Sequence, residues 1–159
     1  YVNRGISGQT TPQMLVRFRA DVLALQPRVV VILAGTNDIA GNTGASSLEM
    51  IEDNLASMAE LARAHGIKVV IASVMPVSDY NVPDQTSNRP PQKIIALNAW
   101  IKSYTRREHL VYLDYYDALL DRDKALKKDL SFDGLHPNAA GYAVMAPLAQ
   151  TAIDKAITP

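Results

Sequence analysis

Two continuous apolar runs, at residues 29–34 and 69–72, leave few folds open to this chain. They read Val-Val-Val-Ile-Leu-Ala and Val-Val-Ile-Ala, without the alternation of apolar and polar residues that a half-exposed strand shows. Such runs are typical of strands covered on both faces, as in parallel sheets flanked by helices. We therefore expect an α/β domain with a mainly parallel sheet, and a third short strand at residues 110–113.

Helical patterns separate these runs. The first helix is predicted to begin at residues 11–12, with Thr11 capping it and a proline in its first turn. Ser46 and Glu49 have the spacing of a capping box before an apolar helical stripe, and Gly66 is placed to end that helix.

The second half of the chain continues the alternation. A polar, proline-rich stretch at residues 76–91 is long for a connection and is a candidate substrate loop. A helix follows it, and a last helix is predicted from about Asn138 towards Ile157, kinked or divided at Pro147. Alternating strands and helices predict a three-layer α/β/α, flavodoxin-like domain, in which ligands bind at the carboxyl ends of the strands.

Composition narrows the functional classes. The 159 residues have the length of one domain, and 16 Lys plus Arg balance 16 Asp plus Glu, so no basic surface indicates nucleic-acid binding. The absence of cysteine excludes disulfides, thiolate metal sites and cysteine nucleophiles. No apolar run is long enough to span a membrane. The compartment is not fixed by these features, although we favour a secreted or periplasmic location over the cytoplasm.

Three short segments carry residues suited to chemistry. Residues 3–11 contain two glycines that permit close backbone approach by a ligand, although, taken alone, the segment is better explained as an ordinary β–α turn. Residues 35–38, Gly-Thr-Asn-Asp, follow the most hydrophobic strand and offer either an amide donor or a turn cap. Residues 133–138 place a carboxylate three residues before an imidazole, in what is otherwise an Asp-Gly turn before a helix.

Together, and in this order, the segments resemble the SGNH hydrolases, also called GDSL lipases and esterases. Residues 3–10 match the family block Asn-x-Gly-x-Ser-Gly-x-Thr, and residues 35–38 match Gly-x-Asn-Asp. The family block Asp-x-x-His, often followed by proline, is matched at residues 133–137. The resemblance covers essentially the whole chain and implies a serine-type mechanism that cleaves carboxylic esters.

The resemblance also implies roles for individual residues. His136 would be the general base and Asp133 the acid that orients it. The backbone N–H of Gly8 and the side-chain amide of Asn37 would be two donors of the oxyanion hole. No cofactor and no metal is expected.

The substrate is expected to be a small ester. Asp38 and Tyr80 are assigned to substrate binding, Tyr80 because it lies in the polar loop at residues 76–91. The polarity of this loop favours short acyl groups, such as acetyl esters of carbohydrates, over long-chain lipids, although the loop is equally explained as solvated surface.

One departure from the family pattern is the absence of its first block, Gly-Asp-Ser at the end of the first strand. Ser7 and Ser73 are weak replacements, because neither has the family's context for a nucleophile. We therefore interpret residues 1–159 as a single SGNH hydrolase domain that is incomplete at its N-terminus. A missing N-terminal segment is expected to supply the serine and the first strand, and to complete the sheet between a strand that ends at Asn3 and the strand at residues 29–34.

Three other interpretations remain open. A non-catalytic domain of the same fold would use Gly8 and Asn37 to hold a carbohydrate or a carboxylate. A metallohydrolase would use Asp133 and His136 as ligands, but no His-Glu-x-x-His pattern supports it. A flavodoxin-like nucleotide binder would need a glycine-rich phosphate loop after a strand, which the sequence lacks.

Overall fold

The computed structural model describes residues 1–158 and shows helices alternating with strands. The strands are β1 (Val29–Ile32), β2 (Lys68–Ala72) and β3 (Val111–Leu113). The helices are α1 (Thr11–Asp21), α2 (Thr36–Ile39), α3 (Leu48–Ala64), α4 (Gln85–Asn88), α5 (Pro91–Arg107), α6 (Tyr115–Leu119) and α7 (Ala139–Ile157). Short 3₁₀ turns lie at Leu23–Leu25 and Lys128–Leu130. The elements follow the alternation that the apolar runs predicted.

The three strands form one parallel sheet in the order β1-β2-β3. Val30 lies opposite Val69, and Val70 lies opposite Val111. The outer edge of β1 pairs with no other strand of residues 1–158, and Val31 and Leu33 keep 37% and 38% of their surface exposed. This edge is consistent with the expected lack of the first strand.

Helices cover both faces of the sheet. One face packs against α1, α3 and α5 through fully buried side chains such as Leu55 and Leu97. The other face packs against α6 and α7, where Leu119 and Met145 meet Val70. The three-layer α/β/α fold expected from the sequence is therefore confirmed.

The segment before α1 differs from its prediction. A strand was expected to end at Asn3, but residues 1–6 have no regular secondary structure. A strand forms only against a neighbour with which it can share backbone hydrogen bonds. Since β1 pairs only with β2 within the described residues, this segment has no ladder to join.

Two predicted helix caps were wrong by one residue. Thr10 rather than Thr11 is the N-cap of α1, with an extended backbone and its N–H donating to the Gln13 side chain at 3.1 Å. Ser47 rather than Ser46 caps α3, since its hydroxyl accepts a backbone N–H of the first turn. In both cases the N-cap is the residue whose backbone stays extended just before the helical dihedrals begin.

The two residues predicted to end or interrupt a helix had different outcomes. Gly66 has a positive φ of 73° and ends α3, which confirms its assignment as a C-terminal cap. Pro147 does not divide α7, which runs unbroken from residue 139 to residue 157. Pro147 lies on the exposed side of the helix, and its carbonyl accepts the Thr151 hydroxyl at 2.9 Å.

Candidate active site

The aspartate and histidine of residues 133–138 form a hydrogen-bonded pair directly before α7. His136 Nδ1 lies 2.6 Å from Asp133 Oδ2. The backbone N–H groups of Leu135 and His136 donate to Asp133 Oδ1 at 2.9 and 2.7 Å. The carboxylate therefore folds back over its own turn and fixes the orientation of the imidazole. We call this pair the dyad.

The dyad also sets a protonation pattern. Partial burial alone would raise the pKa of Asp133, but hydrogen bonds from the His136 ring and from two backbone N–H groups outweigh it and hold this pKa well below its usual value. Asp133 is thus an acceptor, and the tautomer that matches it carries its proton on Nδ1 of His136. Nε2 is then left as a base on a ring that is largely exposed.

A glycine between the two members of the dyad lets the turn pack against residues 76–91. Gly134 has a φ of 78°, and a Cβ atom placed on it would lie 2.0 Å from the carbonyl oxygen of Ser78. The two residues also share a backbone hydrogen bond of 2.9 Å, from Ser78 N–H to the Gly134 carbonyl. No side chain fits at this position without moving the turn.

Ser131 was not selected as a site residue from the sequence, because its flanking residues match no functional motif. Its side chain is buried, and its Oγ lies 2.8 Å from the His136 carbonyl and accepts the Gly134 N–H at 2.9 Å. The same oxygen lies 3.2 Å from Asp133 Oδ1. Its position two residues before the aspartate is the one feature of the sequence that could have indicated a contact with the turn.

The opposite side of the site is formed after β1 and before α1. Gly35, with a φ of 112°, turns the chain from β1 into α2, and Asn37 lies on this short helix. Asn37 Nδ2 donates to the Gln9 carbonyl at 3.0 Å, which uses one of the two N–H bonds of the amide.

Gly8 lies beside Asn37 on this side of the site. It has a φ of 78°, and its carbonyl accepts Asn42 Nδ2 at 3.0 Å. Its N–H donates to no group within residues 1–158. Gly8 and Asn37 therefore each offer an N–H of the kind that binds an oxyanion.

A cleft of about 1240 Å³ brings the two sides together. Gly8, Asn37 and His136 all line it, and its remaining walls come mainly from residues 1–7, from β1 and from side chains of α1 and α7. Asp133 lies behind His136 and does not line the cleft. Four of the six residues selected from the sequence thus belong to one site.

Asp38 and Tyr80 lie outside this cleft. Asp38 is only 2% exposed, and its carboxylate accepts the Thr11 hydroxyl at 2.6 Å and the Thr11 N–H at 2.9 Å. It therefore holds the start of α1 and is not placed to touch a substrate, which corrects its assignment. Tyr80 is 41% exposed, and its hydroxyl donates to Asp121 at 2.7 Å.

The two serines considered as nucleophiles differ in access. Ser73 has no exposed surface, and its Oγ accepts the N–H groups of Tyr115 and Tyr116 at 2.9 and 2.8 Å. Its hydroxyl is therefore engaged by the first two N–H groups of α6, whose N-cap is Asp114, and cannot reach a substrate. Ser7 is exposed and lines the cleft.

Residues 1–158 contain neither a metal-binding cluster nor a membrane-spanning helix. Among residues 1–158, no three His, Asp or Glu side chains are grouped as a metal site would require. No helix in the same part of the chain has the length and apolar character needed to cross a bilayer.

The three-layer α/β fold and the aspartate-oriented histidine beside the cleft match the SGNH-type domain that the sequence motifs resemble. The chain belongs to the GDSL-like lipase/acylhydrolase family, whose sequence model matches residues 1–144.

Three similar proteins illustrate this relationship. A GDSL-like lipase from Bacteroides thetaiotaomicron is 45% identical, with a TM-score of 0.91 over 99% of this chain and 77% of its own. Esterase TesA from Pseudomonas aeruginosa is 30% identical over 139 residues, which are 87% of this chain and 62% of TesA. An acetylxylan esterase from Geobacillus stearothermophilus, 22% identical, shares the fold with a TM-score of 0.79 over 96% of this chain and 71% of its own. The chain spans 34% and 62% of the lengths of two curated relatives that it matches.

Proposed function

We propose that this protein is a serine-type hydrolase of carboxylic esters, with His136 as its general base and Asp133 as the residue that orients it. The observation that carries the proposal is the 2.6 Å contact between Nδ1 of His136 and the Asp133 carboxylate, on a ring that faces the cleft. Membership of the acylhydrolase family supports the same reaction class.

In the proposed reaction, a serine hydroxyl attacks the acyl carbonyl while Nε2 of His136 takes its proton. The carbonyl oxygen becomes an oxyanion that accepts the N–H of Gly8 and the second amide N–H of Asn37. Collapse of this intermediate releases the alcohol, which takes the proton from His136, and leaves an acyl ester on the serine. Water, deprotonated by His136, then releases the acid.

We further propose that the nucleophilic serine lies upstream of Tyr1, on a segment that pairs with the outer edge of β1. Three observations support this placement. The edge of β1 is unpaired within residues 1–158, the cleft runs along it, and Ser73 is buried with its hydroxyl bound to the first N–H groups of α6. A paired β1 would also remove an exposed sheet edge, which is prone to association with other chains.

Covalent labelling of the full-length gene product tests this placement. A fluorophosphonate probe reacts with an activated serine, and peptide mapping locates the adduct. We expect one labelled serine upstream of Tyr1, with labelling lost in His136→Ala. A label on Ser7, lost in Ser7→Ala, would place the nucleophile within the chain, and no label would oppose a serine mechanism.

The proposed substrates are short acyl esters, with acetyl esters of carbohydrates as the favoured class. The polar residues of the 76–91 loop support this, because they offer hydrogen bonds rather than apolar surface to a substrate. Tyr80 remains a proposed substrate contact from this loop, on the basis of its exposure. A series of p-nitrophenyl esters from two to twelve carbons tests it. We expect kcat/KM to fall with chain length, and a rise would contradict the assignment.

A further inference from the structure

The hydroxyl of Ser131 occupies the centre of the turn that carries the dyad. The side chain is 3% exposed and follows the 3₁₀ turn Lys128–Leu130. Its Oγ contacts both ends of the turn, because it accepts the Gly134 N–H at 2.9 Å and lies 2.8 Å from the His136 carbonyl. A hydroxyl has one proton and two acceptor sites, so it can serve both groups at once.

These contacts add a second set of constraints to the dyad, beside the hydrogen bonds that Asp133 makes with Leu135 and His136. The Gly134 N–H and the His136 carbonyl both belong to the loop that sets the spacing between the carboxylate and the imidazole. The same Oγ is 3.2 Å from Asp133 Oδ1, the oxygen that also accepts the His136 N–H. Movement of Ser131 would therefore alter the dyad even though Ser131 does not line the cleft.

The loop at residues 76–91 braces Ser131 from the outside. Asn81 Nδ2 donates to the Ser131 carbonyl at 2.9 Å and lies 3.3 Å from the Lys128 carbonyl. Ser78 N–H donates to the Gly134 carbonyl at 2.9 Å. This loop thus reaches the turn at two points, through one side chain and one backbone group.

We infer that Ser131 is a positioning residue for the His136–Asp133 dyad, and that Asn81 braces it from the 76–91 loop. The inference rests on the proposed function, since it assigns Ser131 a part in that same site. Ser131 does not touch a substrate; it acts through the geometry of His136, which transfers the proton, and of Asp133, which orients it. The candidate substrate loop therefore has a second role as a support of the catalytic turn.

Kinetics of Ser131→Ala test the inference in whichever form of the protein hydrolyses p-nitrophenyl acetate. We expect kcat to fall about 10- to 100-fold, because small misplacements of reacting groups cost rates of this order, while KM changes little. Ser131→Thr keeps the hydroxyl and is expected to recover most of the rate. Ser103→Ala, an exposed serine on α5, is the matched control. A kcat for Ser131→Ala equal to that of the control would overturn the inference.

Proton NMR provides a readout that loss of stability alone does not move. The Nδ1 proton of His136, held by Asp133, is expected at low field, and Ser131→Ala should shift or broaden this resonance in the folded protein. An unchanged resonance in the folded variant contradicts the inference. If no form hydrolyses any ester, the proposed function fails, while this resonance still tests the role of Ser131.

Asn81→Ala covers the case in which Ser131→Ala does not fold. Asn81 is exposed, and its removal takes away its contacts with the carbonyls of Ser131 and Lys128 but no contact of the Ser131 Oγ. We expect a loss in kcat of up to about tenfold, smaller than that of Ser131→Ala because the Oγ contacts remain. If Ser131→Ala is unfolded and Asn81→Ala has the kcat of Ser103→Ala, the inference is wrong.

Discussion

The two sides of the cleft are built in different ways. On the dyad side, Asp133 and His136 are held by bonds that span two to five residues and by packing against Ser78. On the oxyanion side, Gly8 and Asn37 are held by two hydrogen bonds from side-chain amides, which span 28 and 34 residues. The proton-transfer geometry is set mainly by a local turn, whereas the proposed oxyanion donors depend on elements that are distant in the chain.

The chain next to the dyad also has more regular secondary structure than the chain before Gly8. The dyad turn leads directly into α7, whose N-cap Asn138 accepts the Gly141 N–H at 3.0 Å. The segment that carries Gly8 has no regular secondary structure before residue 7, and it lies along the cleft beside the unpaired edge of β1. We therefore expect the dyad side to be the more rigid, and the oxyanion side to gain most from any segment that pairs with β1.

The largest expected effect is a difference in stability between the alanine variants of Gly134 and Gly8, two glycines that have the same φ of 78°. Gly134→Ala should lower the free energy of unfolding by at least about 3 kcal/mol, because the added Cβ meets the Ser78 backbone in addition to the strain of a positive φ. Gly8→Ala should cost only the strain, about 1–2 kcal/mol, since its Cβ meets nothing closer than 3.8 Å. Urea unfolding of both variants measures the difference.

A third glycine is the control for this comparison. Gly44 has a φ of 103°, and no atom lies within 4 Å of its ideal Cβ position. Gly44→Ala should therefore match Gly8→Ala. Equal losses for Gly134→Ala and Gly8→Ala would show that the dyad turn is not packed more tightly than the oxyanion side.

Turnover of Gly134→Ala should also fall, because relief of the clash moves Asp133 away from His136.

A second prediction concerns the oxyanion side alone. Asn37→Ala should lower kcat by about 10²–10³-fold, the usual cost of losing one oxyanion donor. Asn42→Ala is the matched control, because it removes a hydrogen bond of the same length from the same segment without removing a proposed donor. We expect a much smaller loss in kcat for this control. Similar losses in both variants would mean that Asn37 supports the segment and does not bind the oxyanion.

The smallest expected effect is a pH dependence that belongs to the dyad. The pKa of Asp133 is lowered in the folded protein, so its carboxylate stabilises the fold above its usual value of 3.8, and this contribution is lost as pH falls through the lowered pKa. Thermal unfolding of the wild type and of Asp133→Asn between about pH 6 and pH 2 measures it. The stability advantage of the wild type should shrink below about pH 4, and a constant difference would contradict the prediction.

The sequence predicted the layers of the fold better than the ends of its helices. The β-branched runs fixed the parallel strands, because few other structures accommodate them. The caps were displaced by one residue at Thr10 and Ser47, because in each case two capping residues of the same type stand side by side. Backbone dihedrals, which a pattern of residue types does not contain, decide between such neighbours.

In the candidate site, contacts between residues close in sequence were predictable, whereas contacts between distant residues were not. The dyad was predictable because its members lie three residues apart and their spacing defines the turn. Asp38 was assigned to substrate binding, and its actual partner Thr11 lies 27 residues away. The motif around Asp38 gives no sign of a contact at that distance. Ser131 was missed because a single buried hydroxyl has no sequence pattern of its own.

The most direct test of the account is hydrolysis of p-nitrophenyl acetate by three proteins: the full-length gene product, its His136→Ala variant and the 159-residue chain. We predict turnover by the full-length form, little or none in His136→Ala, and none in the 159-residue chain, which lacks the proposed nucleophile. Turnover that survives in His136→Ala would contradict the role of the dyad. No turnover of this or other acyl esters by any form would favour a binding domain, and ligand affinity that persists in His136→Ala would then identify it.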